Sequence, residues 1–214
     1  DSIRSEQAVW LEPLSCVVHA LKACPVLEGA AALVIGAGPL GLLTLQTLRN
    51  YGAELVAVLD PNPGKIGRAS RLGADLAQVV ERIGDTPAVD AALRAAAHLG
   101  FDLTIDTTGK SASIARAVRW TGRVVSIVLF GVSYPADQLV VSPAENFDKE
   151  LTIRAAAGST PTGFAEAVRL MQTGDFATDA LVWCRVGLDE VPGAVSALMQ
   201  PGEKGKVLVY PGEA

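Results

Sequence analysis

Three glycines in six residues, Gly36, Gly38 and Gly41, close an apolar run, Ala31-Ala-Leu-Val-Ile, and open a helical stretch that begins Pro39-Leu40. The spacing is G-x-G-x-x-G. It suits the binding of a pyrophosphate. The first glycine permits a tight turn, the second lets the backbone approach the phosphates, and the third lets helix and strand pack closely. A helix N-terminus at that point offers free N–H groups and the positive end of the helix dipole. The competing reading is a glycine-rich turn that merely precedes a helix. Its context favours binding: nineteen residues past Gly41, the next apolar run ends in Asp60. A carboxylate there meets the hydroxyls of an adenosine ribose and repels a 2′-phosphate. The residues that follow, Pro61-Asn62-Pro63-Gly64, carry no Arg, and Lys65 is the first cation able to touch the ribose. NAD is therefore expected over NADP. A helix N-cap is a second use for Asp60, compatible with the first.

The soft metal ligands are Cys16, His19, Cys24, His98 and Cys184. Cys16 and His19 stand three apart on one helical face, with Cys24 beyond them. They could hold zinc, or be a half-buried thiol and a hydrogen-bonded imidazole on an apolar helix. No second ligand pair at finger spacing exists, so no metal site is expected. Three cysteines make no disulfide framework and fit a reducing, cytoplasmic setting. Lys+Arg number 18 against 23 Asp+Glu in 214 residues, a net charge of −5. That balance argues against nucleic acid and anionic membrane as partners. Mean hydropathy is +0.32, yet the longest uncharged stretch, Gly29–Leu48, holds Gly36, Gly38, Pro39 and Gly41 in its middle. Those residues would break a membrane span. No basic run followed by an apolar stretch opens the sequence, so a signal peptide is not expected. A chain opening on Asp1 rather than Met is expected to be a processed or partial piece.

Apolar runs alternate with helical patterns. Strands are expected at Ala32–Ile35, Leu55–Leu59, Leu76–Val80, Phe101–Ile105, Val124–Phe130 and Leu151–Ala156. Helices are expected at Leu40–Asn50, Pro63–Leu72, Pro87–Leu99 and Ser111–Trp120. Continuous apolar strands between helices imply a parallel sheet covered on both faces. Ser5–Cys24 reads as helical, with Pro13 opening a helix over Leu14–Ala23. Beyond the sixth strand come a helix (Gly163–Thr173), a strand (Leu181–Val186), a helix (Asp189–Met199) and a strand (Lys206–Tyr210). Gly174, Gly187, Pro201–Gly202 and Gly205 punctuate them. These tails have no sheet of their own to join, so they are expected to pack on a further domain or to close around the core.

Glu12-Pro-Leu-Ser-Cys-Val-Val-His, Gly36 to Gly41, Arg71-Leu-Gly-Ala-Asp75 and Asp106-Thr-Thr-Gly109 occur in that order. Gly187-Leu-Asp-Glu-Val-Pro-Gly-Ala and Gly205-Lys-Val-Leu-Val follow in the tail. The set resembles the medium-chain dehydrogenase/reductases, in the branch of zinc-dependent alcohol, polyol and threonine dehydrogenases. The resemblance implies an α/β Rossmann fold, a doubly wound parallel six-stranded sheet of order 3-2-1-4-5-6. It divides the chain into linking helices (1–27), an NAD-binding domain (28–178) and a C-terminal return segment (179–214). The flanks would belong to a GroES-like catalytic domain that carries the zinc and is missing here. Glu12 would be the one residue placed near that metal; otherwise it is an exposed acid at a helix N-terminus. Thr107, Thr108 and Gly109 end the fourth strand. Ile127, Val128 and Leu129 end the fifth, and Ala157 and Gly158 follow the sixth. By resemblance these line the nicotinamide side. The family often has Gly where Val128 stands, and its polyol enzymes tend to carry Arg about where Gly158 stands, which counts against a sorbitol-like substrate.

The implied function is the nucleotide-binding portion of an NAD-dependent alcohol dehydrogenase, acting on an alcohol or carbonyl substrate and inactive alone. Zinc would enter only with the catalytic domain. Two readings compete: a non-catalytic nucleotide-binding module or partner subunit, and an S-adenosylmethionine methyltransferase. Gly41 and the family-like tail weigh against the latter. By resemblance, the edge strand 151–156 would pair across a twofold axis into a homodimer; a helix or tail covering that edge would leave a monomer.

Overall fold

Two helices precede the first strand: α1 (Ser5–Ala8) and α2 (Leu11–Lys22). The computed structural model describes residues 3–22, 24, 28–80, 87–134, 136–200 and 202–212. Pro13 is the third residue of α2 rather than its first. It still lies in the opening turn, where no intrahelical N–H is needed. The expected end of this helix at Ala23, the boundary at residue 27 and the turn at Pro201 lie outside the described residues.

The core alternates as the sequence implies. In chain order it holds β1 (Ala31–Ile35), α3 (Pro39–Asn50), β2 (Leu55–Asp60), α4 (Pro63–Arg71), β3 (Leu76–Val79), α5 (Pro87–Ala96) and β4 (Phe101–Asp106). Then come α6 (Ser111–Ala117), β5 (Thr121–Leu129), α7 (Pro143–Lys149), β6 (Thr152–Ala155) and α8 (Pro161–Thr173). The six strands form one parallel sheet of order β3-β2-β1-β4-β5-β6. Successive side chains point to opposite faces. Leu33, Ile35, Ala57 and Leu59 therefore pack on Val89, Leu93 and Trp120. Ala32, Val34, Val56 and Val58 face Leu42, Leu45 and the apolar side of α2: Leu14, Val17, Val18 and Leu21. Strands buried on both faces need the unbroken Val/Leu/Ile runs seen here. Between β1 and β4 the strand order reverses, which opens a crevice at the carboxyl ends of the strands.

Several expectations change. The helix expected over Ser111–Trp120 is α only to Ala117 and tightens to a 3₁₀ turn at Val118–Trp120. The fifth strand starts three residues early, because Val124 (φ +55°) forms a bulge where the β4–β5 register shifts. Helix α7 was not anticipated, although Ser142-Pro143 with Glu145 is a start signal: the Ser142 hydroxyl accepts from the Glu145 N–H. The tails do have a sheet to join. β7 (Val182–Gly187) and β8 (Lys206–Tyr210) pair in parallel with each other, linked through α9 (Val191–Leu198). Their apolar patterns satisfy a second, two-stranded sheet that local periodicity could not assign.

Candidate dinucleotide-binding site

The three glycines of the turn do three different things. Gly36 has φ +101°, a left-handed conformation that favours glycine. Its N–H donates to the Leu59 carbonyl at 2.7 Å, and a Cβ there would stand 2.5 Å from Thr107 Oγ1. At Gly41 a Cβ would stand 1.9 Å from the Gly36 carbonyl oxygen, so helix and turn touch backbone to backbone. Gly38 is the N-cap of α3, has ordinary extended φ, and has nothing within 4 Å of its missing Cβ. Its bare face looks into open groove. No side chain caps α3, and Pro39 removes one donor at its first position. The remaining first-turn N–H groups are left for a ligand.

Asp60 lies beneath this turn, 6% exposed. Its Oδ2 accepts the Ala37 N–H and its Oδ1 the Asn62 N–H, each at 2.8 Å. The carboxylate thus ties the glycine turn to the start of α4. It does not cap that helix: Asn62 does, accepting from the Lys65 N–H at 3.1 Å. Across the crevice, Thr107 Oγ1 donates to the Ile35 carbonyl at 2.9 Å. Asp106 is buried and shapes the turn after β4, accepting from Thr108 Oγ1 (2.6 Å), the Thr108 N–H (3.2 Å) and the Gly109 N–H (2.8 Å). Burial pushes its carboxyl above the usual range, and those hydrogen bonds oppose the shift.

These residues form an open groove, lined by Gly36, Gly38, Pro39, Leu40, Gly41, Asp60, Lys65, Thr107 and Thr108. All were anticipated. Asn62, Lys110 and Gly202 also line it and were not; Gly202 arrives from the loop between α9 and β8, which no local signal connects to the turn. A narrower hollow lies beside it, between Ile35, Leu59, Pro61, Val80 and Trp120. Arg116 also lines it, its guanidinium 5.6 Å from the Trp120 ring centre. The Trp120 indole N–H donates to Asp90 at 2.9 Å. An apolar slot with a polar rim suits a planar base.

The remaining expected residues lie apart from this groove. Gly109 is buried at φ +68°, where a Cβ would stand 2.1 Å from the Val132 carbonyl oxygen. Ile127 and Val128 are fully buried, pointing into opposite faces of the core, and Leu129 is partly buried. Ala157 and Gly158 are exposed beyond the end of β6. Glu12 is exposed in the first turn of α2, its Oε1 accepting the Cys16 thiol at 3.3 Å. Burial, with the Glu12 carboxylate adding to it, raises Cys16 to about 11; burial raises Cys24 to about 11 as well. A cysteine that ligates zinc does so as the thiolate. Among the described residues no three His, Cys, Asp or Glu side chains gather as metal ligands. Zinc does not fit the donors of this stretch.

A family profile described as zinc-binding dehydrogenase matches residues 39–173. D-arabinitol dehydrogenase 1 of Uromyces fabae is 30% identical over 182 residues, 85% of this chain and 52% of that protein. The (R,R)-butanediol dehydrogenase of Bacillus subtilis is 26% identical over 212 residues, 99% of this chain and 59% of that one. The crystal structure of 2R,3R-butanediol dehydrogenase from Bacillus subtilis superposes with a TM-score of 0.86 at 25% identity, covering 99% of this chain and 59% of the other. The chain spans about half the length of the curated relatives it matches. The matched stretch covers Pro39, Leu40, Gly41 and Asp60 and strands β2 to β6; β1, Gly36 and Gly38 lie just ahead of it. On that match, over more than half of its length, the chain belongs to the zinc-binding dehydrogenase family.

Proposed function

We propose that this chain is the dinucleotide-binding part of an NAD-dependent alcohol or polyol dehydrogenase. One observation carries the reading: the bare face of Gly38 opens on a groove between an uncapped helix N-terminus and the Asp60 carboxylate. The pyrophosphate lies against the first turn of α3, where a side chain at position 38 would stand. Asp60 faces the adenosine ribose, and the slot beside Leu59, Pro61, Val80 and Trp120 takes the adenine. The nicotinamide runs toward the ends of β4, β5 and β6. With Ile127 and Val128 buried, only backbone is available to it at that point of β5. When bound, the dinucleotide supplies the hydride acceptor. The chain's own residues hold and orient it and exclude water from its adenosine half.

The relatives are named for arabinitol, butanediol and sorbitol, which supports an alcohol or polyol substrate class. The likeness to butanediol dehydrogenase runs through the flanks as well as the core, which favours a dehydrogenase over a stand-alone nucleotide module. Zinc chemistry would rest on residues outside this stretch, with Glu12 the one acid here assigned to face it. The 1–27, 28–178 and 179–214 divisions are retained as part of this reading. So are a reducing, cytoplasmic setting, in keeping with three free thiols, and a homodimer through β6. Calorimetric titration of NAD⁺ into the full-length protein tests the core of it. Binding is expected in the unmodified protein and lost in Gly38→Val; unchanged affinity in that variant would remove the phosphate cradle.

A further inference from the structure

The loop between α9 and β8 brings a second carboxylate to the adenosine end of the groove. Gly202 lines the groove, and the next residue, Glu203, reaches α4. Its Oε1 accepts from Arg68 Nη2 at 2.6 Å, with side-chain exposures of 33% and 16%. Its Oε2 lies over Gly64. A Cβ built on Gly64 would stand 2.1 Å from that oxygen and 3.2 Å from Asn62 Oδ1. Only glycine at 64 admits the carboxylate in this position. Asn62 and Lys65, on either side of Gly64, line the groove together with Asp60. Asp60 thus lines this corner from the sheet, and Glu203 stands beside it, next in the chain to Gly202 and over Gly64, between the lining residues Asn62 and Lys65. The nearby guanidinium of Arg68 is held by Glu203.

We propose that Glu203 is a specificity-determining residue that closes this corner to a 2′-phosphate. The inference rests on the dinucleotide reading of the groove. Two physical effects act together. The Glu203 carboxylate repels a second anion. It also engages Arg68 through Nη2, a guanidinium that would otherwise be a natural partner for a phosphate. Asp60 is held by two backbone N–H groups and almost wholly buried, whereas the Glu203 side chain is one-third exposed. Lys65 and Lys110 line the same groove. Withdrawing Glu203 would remove one negative charge from beside these cations and release Arg68 to join them.

Calorimetric titration of NAD⁺ and of NADP⁺ into the full-length protein and three variants tests this. Glu203→Gln is expected to tighten NADP⁺ roughly tenfold, the effect of one released, partly exposed charged partner. NAD⁺ affinity should stay within about twofold, since the 2′-hydroxyl needs neither group. Gly64→Ala displaces the carboxylate by contact and should move NADP⁺ in the same direction. Arg68→Gln in the Glu203→Gln background should cancel the gain. An unchanged NADP⁺ to NAD⁺ ratio in both Glu203→Gln and Gly64→Ala overturns the assignment of Glu203. So does an equal change for the two dinucleotides. If the unmodified protein binds neither dinucleotide, the reading of the groove fails, and this inference fails with it.

Discussion

Gly36, Gly38 and Gly41 look alike in the sequence and differ in what a substitution would meet. Gly38→Val should leave thermal stability nearly unchanged and abolish NAD⁺ binding, because nothing in the protein stands within 4 Å of the added carbon. Gly41→Ala should do the reverse first. Its methyl would meet the Gly36 carbonyl at 1.9 Å, and relief of that overlap should cost about 3 kcal/mol, read from chemical denaturation. Asp60→Ala should show both losses. A buried backbone N–H at Ala37 and a part-buried one at Asn62 lose a charged acceptor, worth about 2 kcal/mol, and NAD⁺ binding weakens as well. An Asp60→Ala protein as stable as the parent would mean that the carboxylate serves the ligand alone. The spacing of the glycines and of Asp60 made the groove legible at this scale. Asp60's second role was not, because its partners Ala37 and Asn62 are backbone donors with no mark in the residue code. Trp120 and Arg116 also escaped, since an aromatic on a helix end reads as core until the slot beside it is seen.

Among the elements, the small β7–β8 sheet is tied to α1 by an ionic cluster. Glu6 accepts from Arg185 Nε at 2.8 Å and Nη2 at 2.6 Å, and from the Tyr210 hydroxyl. The Arg185 hydrogen bond, with that of Tyr210 behind it, lowers the Glu6 carboxyl from 4.5 to about 2. A carboxyl lowered in the folded state contributes stability that is present above its unfolded value and lost as pH falls toward its folded one. Thermal stability should therefore drop as pH falls from about 4.5 toward 2, and Glu6→Gln should flatten that part of the profile. An identical profile in the variant would mean that the cluster does not hold in solution. At the other end of the fold, Val124 sits in the left-handed region while 70% exposed. A β-branched residue gains little there and is strained. Val124→Gly should raise stability by about 1 kcal/mol, measured by denaturant midpoint. The β5 run was legible as a strand. Its bulge was not, because it comes from the misfit between β4 and β5 rather than from any turn residue.

For the whole molecule, the open question is what the edge of the sheet meets. β6 ends the sheet, pairing on one side with β5. The segment leading to it exposes Val132, Tyr134, Val140 and Phe147. We propose that two copies join here, β6 to β6 across a twofold axis, which closes as a dimer. Sedimentation at micromolar concentration should give the dimer mass, and Ile153→Pro should give a monomer that retains the fold. A monomeric parent protein, unaffected by that substitution, would show the edge to be closed off already.

Composition and local pattern alone determined that this chain builds a parallel sheet between helices, and the resemblance supplied its strand order. The reason is physical: strands covered on both faces must be apolar throughout, and a phosphate-binding turn must be glycine-rich. Both constraints act within a few residues and leave their mark in the letters. Tertiary structure alone decided the rest. It paired β7 with β8 and turned the side chains of Ile127 and Val128 into the core. It also set Glu203 against Arg68, 135 residues away in the chain. Contacts of that kind depend on how finished elements pack, and any of several acids in the tail would satisfy the same local pattern.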